Sequence, residues 1–299
     1  MTLEEYLAKA GIEEGLSEVV LSLADCVVEI SEAILETEDT KVDTVNPSGE
    51  QQMKLDVRAD QIVMEMLSEN DFVGLVASEE MEDEKVLNED GEFAVAHDPL
   101  DGSSLLDVNL SVGSIFGVYK AKSFFGLKGD DQVAAVLGCY GPKLGLFVTV
   151  GKGTHYFVLS ESGDFLLHHG DLEIGEGKMF APGNLRACKS RADYLELVNY
   201  WTKEQYTLRY SGGMVPDVGQ ILLKGKGIFS YPGYDEAPDG KLRLLYECAP
   251  VAFLVEQASG AATDGKMRIL EKEISELAQR TPIFVGSKLE VERCEKMLA

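Results

Sequence analysis

Residues 98–104 read Asp98-Pro99-Leu100-Asp101-Gly102-Ser103-Ser104 and carry the densest local chemistry in the chain. Pro99 fixes φ and removes a donor, and Gly102 permits a sharp turn. Asp98 and Asp101, at the mouth of a predicted strand, can therefore converge on one cation. The same bend exposes the Leu100 carbonyl as a neutral oxygen ligand. Hard divalent cations favour such an all-oxygen set, and Mg²⁺ usually completes its octahedron with water and substrate phosphate. Ser103 and Ser104 follow where a helix would begin, and the free N–H groups of a helix N-terminus hold phosphate. Out of context the segment would serve equally as a turn with an N-cap.

Other carboxylates supply that context. Glu79 and Glu80 stand side by side at the end of the preceding predicted strand, where one could bridge metals and the other face a water. Taken alone, two adjacent glutamates would be a solvated edge. Asp56 and Glu50 lie earlier, at a loop-to-helix junction. Glu247 stands among apolar residues in Lys241-Leu242-Arg243-Leu244-Leu245-Tyr246-Glu247-Cys248. An acid there needs a partner, because an unpaired buried charge is costly. A salt bridge to Arg243 is its purely structural alternative.

The elements that must position these groups follow from hydrophobic spacing. Residues 16–36 place Leu16, Val19, Val20, Leu23, Val27 and Ile34 on one stripe, which predicts an amphipathic helix. A polar, turn-rich stretch, residues 43–52, precedes a second predicted helix over 55–68. Residues 72–77 predict a short buried strand that ends in Ser78-Glu79-Glu80, followed by an acidic loop to Glu92. Residues 93–97 predict a strand that runs directly into Asp98. Further strands are expected at 114–119, 133–140, 144–150 and 156–159, the last two joined by Gly151-Lys152-Gly153, a hairpin signal. That Gly-x-Gly is not a phosphate loop, since no Gly-Lys-Ser/Thr follows.

A Gly/Pro-rich passage at 170–183 marks the best boundary, giving an N-terminal metal-binding unit over 1–175 and a C-terminal unit over 176–299. Beyond it, Tyr194, Leu197, Val198 and Trp201 mark a helix. Strands are expected at 221–223, 228–231 and 283–285. Residues 248–259 predict a helix stopped by Gly260, and Ser287 is placed to cap a last helix. Helices and strands alternate without clean βαβ regularity, which points to layered α/β or α+β packing rather than a barrel.

The chain has 299 residues, 45% of them hydrophobic, ample for a sizeable core. Its formal net charge of −25 repels phosphate backbones and anionic membrane surfaces, so neither nucleic acid nor membrane is an expected partner. Small anionic substrates remain open to it if metal ions and a few local cations screen them. Five scattered cysteines without a C-x-x-C predict reduced thiols in a reducing compartment. The first 14 residues carry four glutamates and read as neither a signal nor a transit peptide, and no uncharged apolar run nears the ~20 residues that span a bilayer. A cytoplasmic protein is expected.

Taken in order, several segments resemble the family of class I fructose-1,6-bisphosphatase and sedoheptulose-1,7-bisphosphatase, within the Li⁺-sensitive sugar and inositol phosphatases. They are Gly49-Glu50-Gln51, Lys54-Leu55-Asp56, Ser78-Glu79-Glu80, residues 98–104, Pro182-Gly183-Asn184-Leu185-Arg186, Arg209-Tyr210-Ser211-Gly212-Gly213-Met214 and residues 241–247. The resemblance covers nearly the whole chain and implies an α+β fold layered α/β/α/β/α. It also implies hydrolysis of the 1-phosphate of a sugar bisphosphate with two or three Mg²⁺, or Mn²⁺, at each site. By the same resemblance Glu79, Asp98, Asp101 and Glu247 would hold one metal, and Glu79, Asp98 and the Leu100 carbonyl a second. Glu50 would approach a third metal or a water, at a position where the family usually carries Asp. Asp56 and Glu80 would form the pair that deprotonates the attacking water. Gly102, Ser103 and Ser104 would flank the departing phosphate. Asn184, Tyr210, Tyr231, Lys241 and Arg209 would meet the other, with Arg209 reaching across a dimer interface in the family. Met214 would lie beside the sugar, and a homodimer or homotetramer is implied.

The substrate signals split. Residues 178–186, 206–217 and 131–135 resemble the seven-carbon branch, whereas Phe229-Ser230-Tyr231-Pro232 and Pro238-Asp239-Gly240-Lys241 resemble the six-carbon branch. Ala187 stands near the place where fructose enzymes carry a phosphate-binding tyrosine. The expected substrate is therefore sedoheptulose-1,7-bisphosphate, with fructose-1,6-bisphosphate second. Glu92-Phe93 occupies the place of a Lys-Tyr pair in AMP-inhibited relatives, which implies weak AMP inhibition. An inositol-type monophosphatase is the more distant alternative, but it would carry a late Trp-Asp motif, and Trp201 is followed by Thr202. A scaffold that had lost catalysis would lack Asp56, Glu80 or Asp101, and all three are present.

Overall fold

The computed structural model describes residues 1–36, 41–45 and 51–298, the side chains of 41–45, 51 and 52 excepted. Thr2 opens α1 (Leu3–Ala10) with a reciprocal capping box to Glu5, a helix not expected from the sequence. The helix α2 (Glu14–Glu36) follows, with its apolar stripe buried. A short antiparallel pair, β1 (Lys41–Val45) and β2 (Gln51–Met53), leads into α3 (Lys54–Ser68).

The next strands are β3 (Val73–Ser78), β4 (Lys85–Val86), β5 (Phe93–Asp101), β6 (Val112–Tyr119), β7 (Gln132–Tyr140), β8 (Leu144–Thr149), β9 (Thr154–Leu159) and β10 (Phe165–His169). They form one sheet in the order β10-β9-β8-β7-β6-β5-β3-β4, antiparallel except for the β3–β5 pair. Gly151 and Gly153, at φ 73° and 82°, make the expected hairpin between β8 and β9. A second sheet contains β11 (Met179–Pro182), β12 (Thr207–Leu208), β13 (Ile228–Tyr231), β14 (Ala261–Thr263) and β15 (Ile283–Gly286), in the order β12-β11-β13-β15-β14. The remaining helices are α4 (Ala192–Lys203), α5 (Met214–Lys224), α6 (Ala249–Gln257) and α7 (Lys288–Met297).

Three apolar clusters stack these elements into five layers. The first joins α1, α2 and α3 to one face of the large sheet, through Val76, Val95, Phe116 and Val136. The second joins the opposite face, through Ala77, Ala96, Ile115 and Leu137, to α5, α6 and the inner face of the second sheet. The third packs α4 and α7 on the outer face, around Trp201, Tyr194 and Phe284. The result is an α+β fold layered α/β/α/β/α. No helix among the described residues is long and apolar enough to cross a membrane.

Several sequence expectations are corrected. Residues 221–223 are helical, not a strand: Val215, Val218, Ile221 and Leu222 share the buried face of α5, which ends at Gly225 in the left-handed region. A short apolar run does not by itself distinguish a strand from a buried turn of helix. The passage at 170–183 contains β11, whose burial on all four residues leaves no alternation to read. Strand β10 was likewise not expected. The left-handed residue after α6 is Ser259 (φ 65°), ahead of Gly260. Ser287 does precede α7, but its hydroxyl donates to the Gly175 carbonyl and accepts from Gly227 N–H rather than capping the helix.

Candidate active site

The β-pleat decides which carboxylates meet. Along β5, Phe93 and Val95 face the helices α1–α3, and Ala94 and Ala96 face the opposite layer. With a period of two, His97 continues toward α3 and Asp98 toward the interior between the sheets. Along β3 the same alternation sends Ser78 toward α3 and Glu79 to the side of Asp98. Pro99 then breaks the ladder. Asp98 lies opposite Ile115 and Asp101 opposite Gly113, so β5 spends three steps where β6 spends two. That bulge is anchored by Ser114, whose hydroxyl donates to Pro99 O at 2.7 Å, and by Leu100 N–H, which donates to Asp98 Oδ1 at 2.9 Å.

Glu247 arrives from the other direction on a π-helical turn, Leu244–Cys248, immediately before α6. Such turns are rare and frequent at functional sites. Ligand atoms of Glu79, Asp98 and Glu247 lie within 4.8 Å of one another, and all three side chains are largely buried. Arg243 sits beneath them, with Nη1 2.7 Å from Glu79 Oε1 and 3.7 Å from Glu247 Oε2, while its own N–H donates to Glu247 Oε2 at 2.5 Å. The structural alternative for Glu247 thus coexists with the metal reading. One guanidinium cannot balance this many carboxylates. Burial first, then Glu79, Glu247 and Asp101, hold the Asp98 carboxyl well above the usual carboxylate range. Burial likewise pushes Asp101 up to about 7, against backbone N–H groups that favour its ionised form. A crowded, buried, all-oxygen set of this kind is what a hard divalent cation satisfies, so the residues fit a metal.

Asp101 is also tied to the second sheet's layer, since its Oδ2 accepts Val215 N–H at 2.7 Å in the first turn of α5. Asp56 Oδ2 accepts Met53 N–H at 2.7 Å at the start of α3. Both therefore have helix-capping duties of the kind that acids commonly perform. Asp56, Glu79, Glu80, Asp98, Leu100, Asp101, Gly102, Ser103, Ser104, Tyr231, Lys241 and Glu247 line one cavity of about 310 Å³, together with Leu242 and Arg243. Ser103 and Ser104 open a six-residue 3₁₀ helix, Ser103–Val108, rather than the α-helix that the phosphate argument assumed.

Not every expected residue reaches that lining. Glu50 lies outside the described residues. Asn184 turns the chain after β11 in the left-handed region, and its amide nitrogen donates to Pro232 O at 3.1 Å. Met214 is buried at the start of α5. Tyr210 is half exposed, and burial raises its hydroxyl pKa, with Asp217 adding to the rise. Arg209 is exposed and pairs through its N–H with Phe180 O. Sequence reasoning offered Arg243 as a partner of Glu247 but missed its contact with Glu79. It also missed Arg186, whose charge reaches both Tyr210 and Tyr231 and lowers each hydroxyl's pKa against the larger effect of burial.

Clustered buried carboxylates beneath a polar cavity rimmed by serines, a tyrosine and a lysine, on this layered frame, define a metal-dependent hydrolase of phosphate esters. Residues 3–170 match the model of the fructose-1-6-bisphosphatase N-terminal domain, and residues 174–299 that of the C-terminal domain. The chain is 42% identical over 301 residues to the chloroplastic sedoheptulose-1,7-bisphosphatase of Spinacia oleracea, covering 99% of this chain and 78% of that protein. It is 40% identical over 292 residues to the class 1 fructose-1,6-bisphosphatase of Geobacter metallireducens, covering 97% and 92%. The crystal structure of Leishmania major fructose-1,6-bisphosphatase in holo form superimposes with a TM-score of 0.94 at 33% identity, covering 99% of this chain and 98% of the other. The chain belongs to the fructose-1,6-bisphosphatase and sedoheptulose-1,7-bisphosphatase family, phosphatases that act on sugar bisphosphates.

Proposed function

We propose that this enzyme removes the 1-phosphate of sedoheptulose-1,7-bisphosphate, with fructose-1,6-bisphosphate as a second substrate. The observation that carries the reaction is the approach of Glu79, Asp98 and Glu247 to within 4.8 Å, in a cavity that also holds Asp56 and Glu80. Glu79, Asp98, Asp101 and Glu247 would hold one Mg²⁺ or Mn²⁺, and Glu79, Asp98 and the Leu100 carbonyl a second, with Glu50 toward a third. Bound cations at such a site acidify water and neutralise the transferring phosphoryl group. Asp56 and Glu80, which line the same cavity, receive the proton of the attacking water. Gly102, Ser103 and Ser104 hold the phosphate that leaves. Lys241 and Tyr231, which line the same cavity, meet the phosphate that stays together with Asn184, Tyr210 and Arg209, and Met214 lies beside the sugar.

The seven-carbon reading draws on Ala187, which is fully buried and offers no hydroxyl where fructose enzymes carry a tyrosine. A two-unit organisation about 170–183 and a homodimer or homotetramer belong to the same reading. So does a cytoplasmic setting, in keeping with five unpaired cysteines. Glu92, held by Lys120 at 2.8 Å, supports weak AMP inhibition.

The test compares kcat/KM for sedoheptulose-1,7-bisphosphate, fructose-1,6-bisphosphate and inositol-1-phosphate in Mg²⁺. The expected order is seven-carbon, then six-carbon, with the inositol ester not hydrolysed. A reversed order of the two bisphosphates would overturn the substrate assignment, and hydrolysis of the inositol ester alone would overturn the bisphosphatase reading.

A further inference from the structure

Behind Glu79 and Glu80, on the face of the large sheet away from the cavity, lies a buried polar group that the proposed chemistry does not use. Asp60 stands one helical turn after Asp56 on α3, so the two carboxylates project from the same side of the helix. Asp60 Oδ1 accepts the Ser78 hydroxyl at 2.5 Å and lies 3.0 Å from His97 Nε2. The His97 side chain is fully buried and that of Asp60 is 16% exposed. Because an ionised carboxylate only accepts, Nε2 carries the proton in this contact. Among the described residues His97 Nδ1 is buried with no hydrogen-bond partner, so the ring is retained at a cost and Asp60 is the polar anchor of its Nε2.

The outer ends of this group are the functional segments. Ser78 Oγ, while donating to Asp60, accepts Glu80 N–H at 3.1 Å. The His97 carbonyl accepts Glu79 N–H at 3.0 Å, and the next residue is Asp98. One carboxylate oxygen thereby joins three elements: α3, which carries Asp56; the end of β3, which carries Glu79 and Glu80; and β5, which carries Asp98. Apolar contacts between α3 and the sheet fix separation but not rotation, whereas two directional bonds to one atom fix both.

We propose that Asp60 is a positioning residue, clamped between Ser78 and His97, that sets the spacing of the Asp56 and Glu80 carboxylates across the cavity. The inference rests on the assignment of those two groups to water activation. Displacement of a reacting group by about 1 Å costs on the order of 10²-fold in rate. Asp60→Ala, which removes the shared acceptor, therefore lowers kcat by about ten- to a hundredfold, with KM for the bisphosphate within about threefold. Asp60→Asn retains an acceptor oxygen in the same place and recovers most of the lost kcat. Ser78→Ala frees the Glu80 amide and one side of the clamp, and lowers kcat by about tenfold.

The experiment measures kcat and KM in saturating Mg²⁺ for wild type, these three variants and Glu80→Gln, with a thermal melt of each. If Glu80→Gln matches wild type, the water-activation assignment itself falls. With Glu80→Gln inactive, wild-type kcat in Asp60→Ala overturns the positioning role. So does an Asp60→Asn variant as slow as Asp60→Ala, since a merely structural or charge role predicts no rescue by geometry. If Asp60→Ala does not fold, Ser78→Ala decides: a fall in kcat at constant KM is expected, and an unchanged kcat overturns the proposal.

Discussion

Replacing Arg243 with Met separates the role of the buried counter-charge from that of the metal. This guanidinium lies 2.7 Å from Glu79 and 3.7 Å from Glu247, with the Arg243, Glu79 and Glu247 side chains 5%, 10% and 4% exposed. Breaking a buried ion pair by removing one partner costs about 3–5 kcal/mol, because the other charge is left unbalanced. An unfolding entropy of about 2.1 cal/mol/K per residue gives this chain roughly 0.6 kcal/mol/K, so the melting temperature falls by about 5–8 °C. Methionine keeps much of the aliphatic volume, which confines the loss to the charge. A divalent cation supplies that missing charge. At a hundred times its Kd it adds about 2.7 kcal/mol to a folded site, and Glu79 and Glu247 hold it more tightly once the neighbouring cation is gone. Calorimetric melts in EDTA and in Mg²⁺ are the assay. The gap between variant and wild type should be largest in EDTA and narrower in Mg²⁺. An unchanged melting temperature in EDTA, or equal Mg²⁺ gains in both proteins, would refute the reasoning.

Other consequences follow from the same geometry. Burial raises Asp101 to about 7 and Asp217 to about 6, so the folded metal-free protein binds these protons more tightly than the unfolded chain. Their stability contribution is full below the unfolded pKa of about 3.9 and is lost as pH rises through 6 to 7; melts in EDTA should fall from pH 5 to pH 8, and less so in Mg²⁺, while a flat EDTA profile would contradict this. Glu290, buried beneath α4, accepts from Trp201 Nε1 at 2.9 Å and the Tyr206 hydroxyl at 2.6 Å. Glu290→Ala should therefore destabilise by about 2–4 kcal/mol and alter the emission of the single tryptophan, as measured by denaturant melts and fluorescence. A Cβ on Gly74 would stand 2.3 Å from the Gly91 carbonyl oxygen, in backbone that cannot move aside cheaply. Gly74→Ala should cost at least about 1–3 kcal/mol in a urea titration.

The cavity was largely legible in the sequence because its carboxylates sit in short, unusual strings. Asp98 to Ser104 combines acids, Pro and Gly, and the two-residue period of β5 fixes which face each acid takes. Glu247 was legible as an acid in an apolar run. What could not be read was partnership across elements: Arg243 beneath Glu79, Asp101 under the first turn of α5, and Asp60 between Ser78 and His97. These contacts depend on how α3, α5 and the π-turn dock, and no local spacing encodes docking. Strand β11 is buried on all four residues, so alternation carries no signal there, and residues 221–223 are too short an apolar run to separate a strand from a turn of helix. Capping strings misled in the other direction. Ser287 has the right place for a cap, yet two distant carbonyl and amide groups use its hydroxyl.

The central claim is that a carboxylate-bound divalent cation and the Asp56–Glu80 pair together hydrolyse the phosphate ester. Phosphate release from sedoheptulose-1,7-bisphosphate, by wild type and Glu80→Gln across a Mg²⁺ titration that includes an EDTA point, tests it most directly. The account predicts release that vanishes in EDTA and a Glu80→Gln variant slower by about 10²–10⁴-fold at every Mg²⁺ concentration. Release that persists without metal, or a Glu80→Gln variant as fast as wild type, would contradict it.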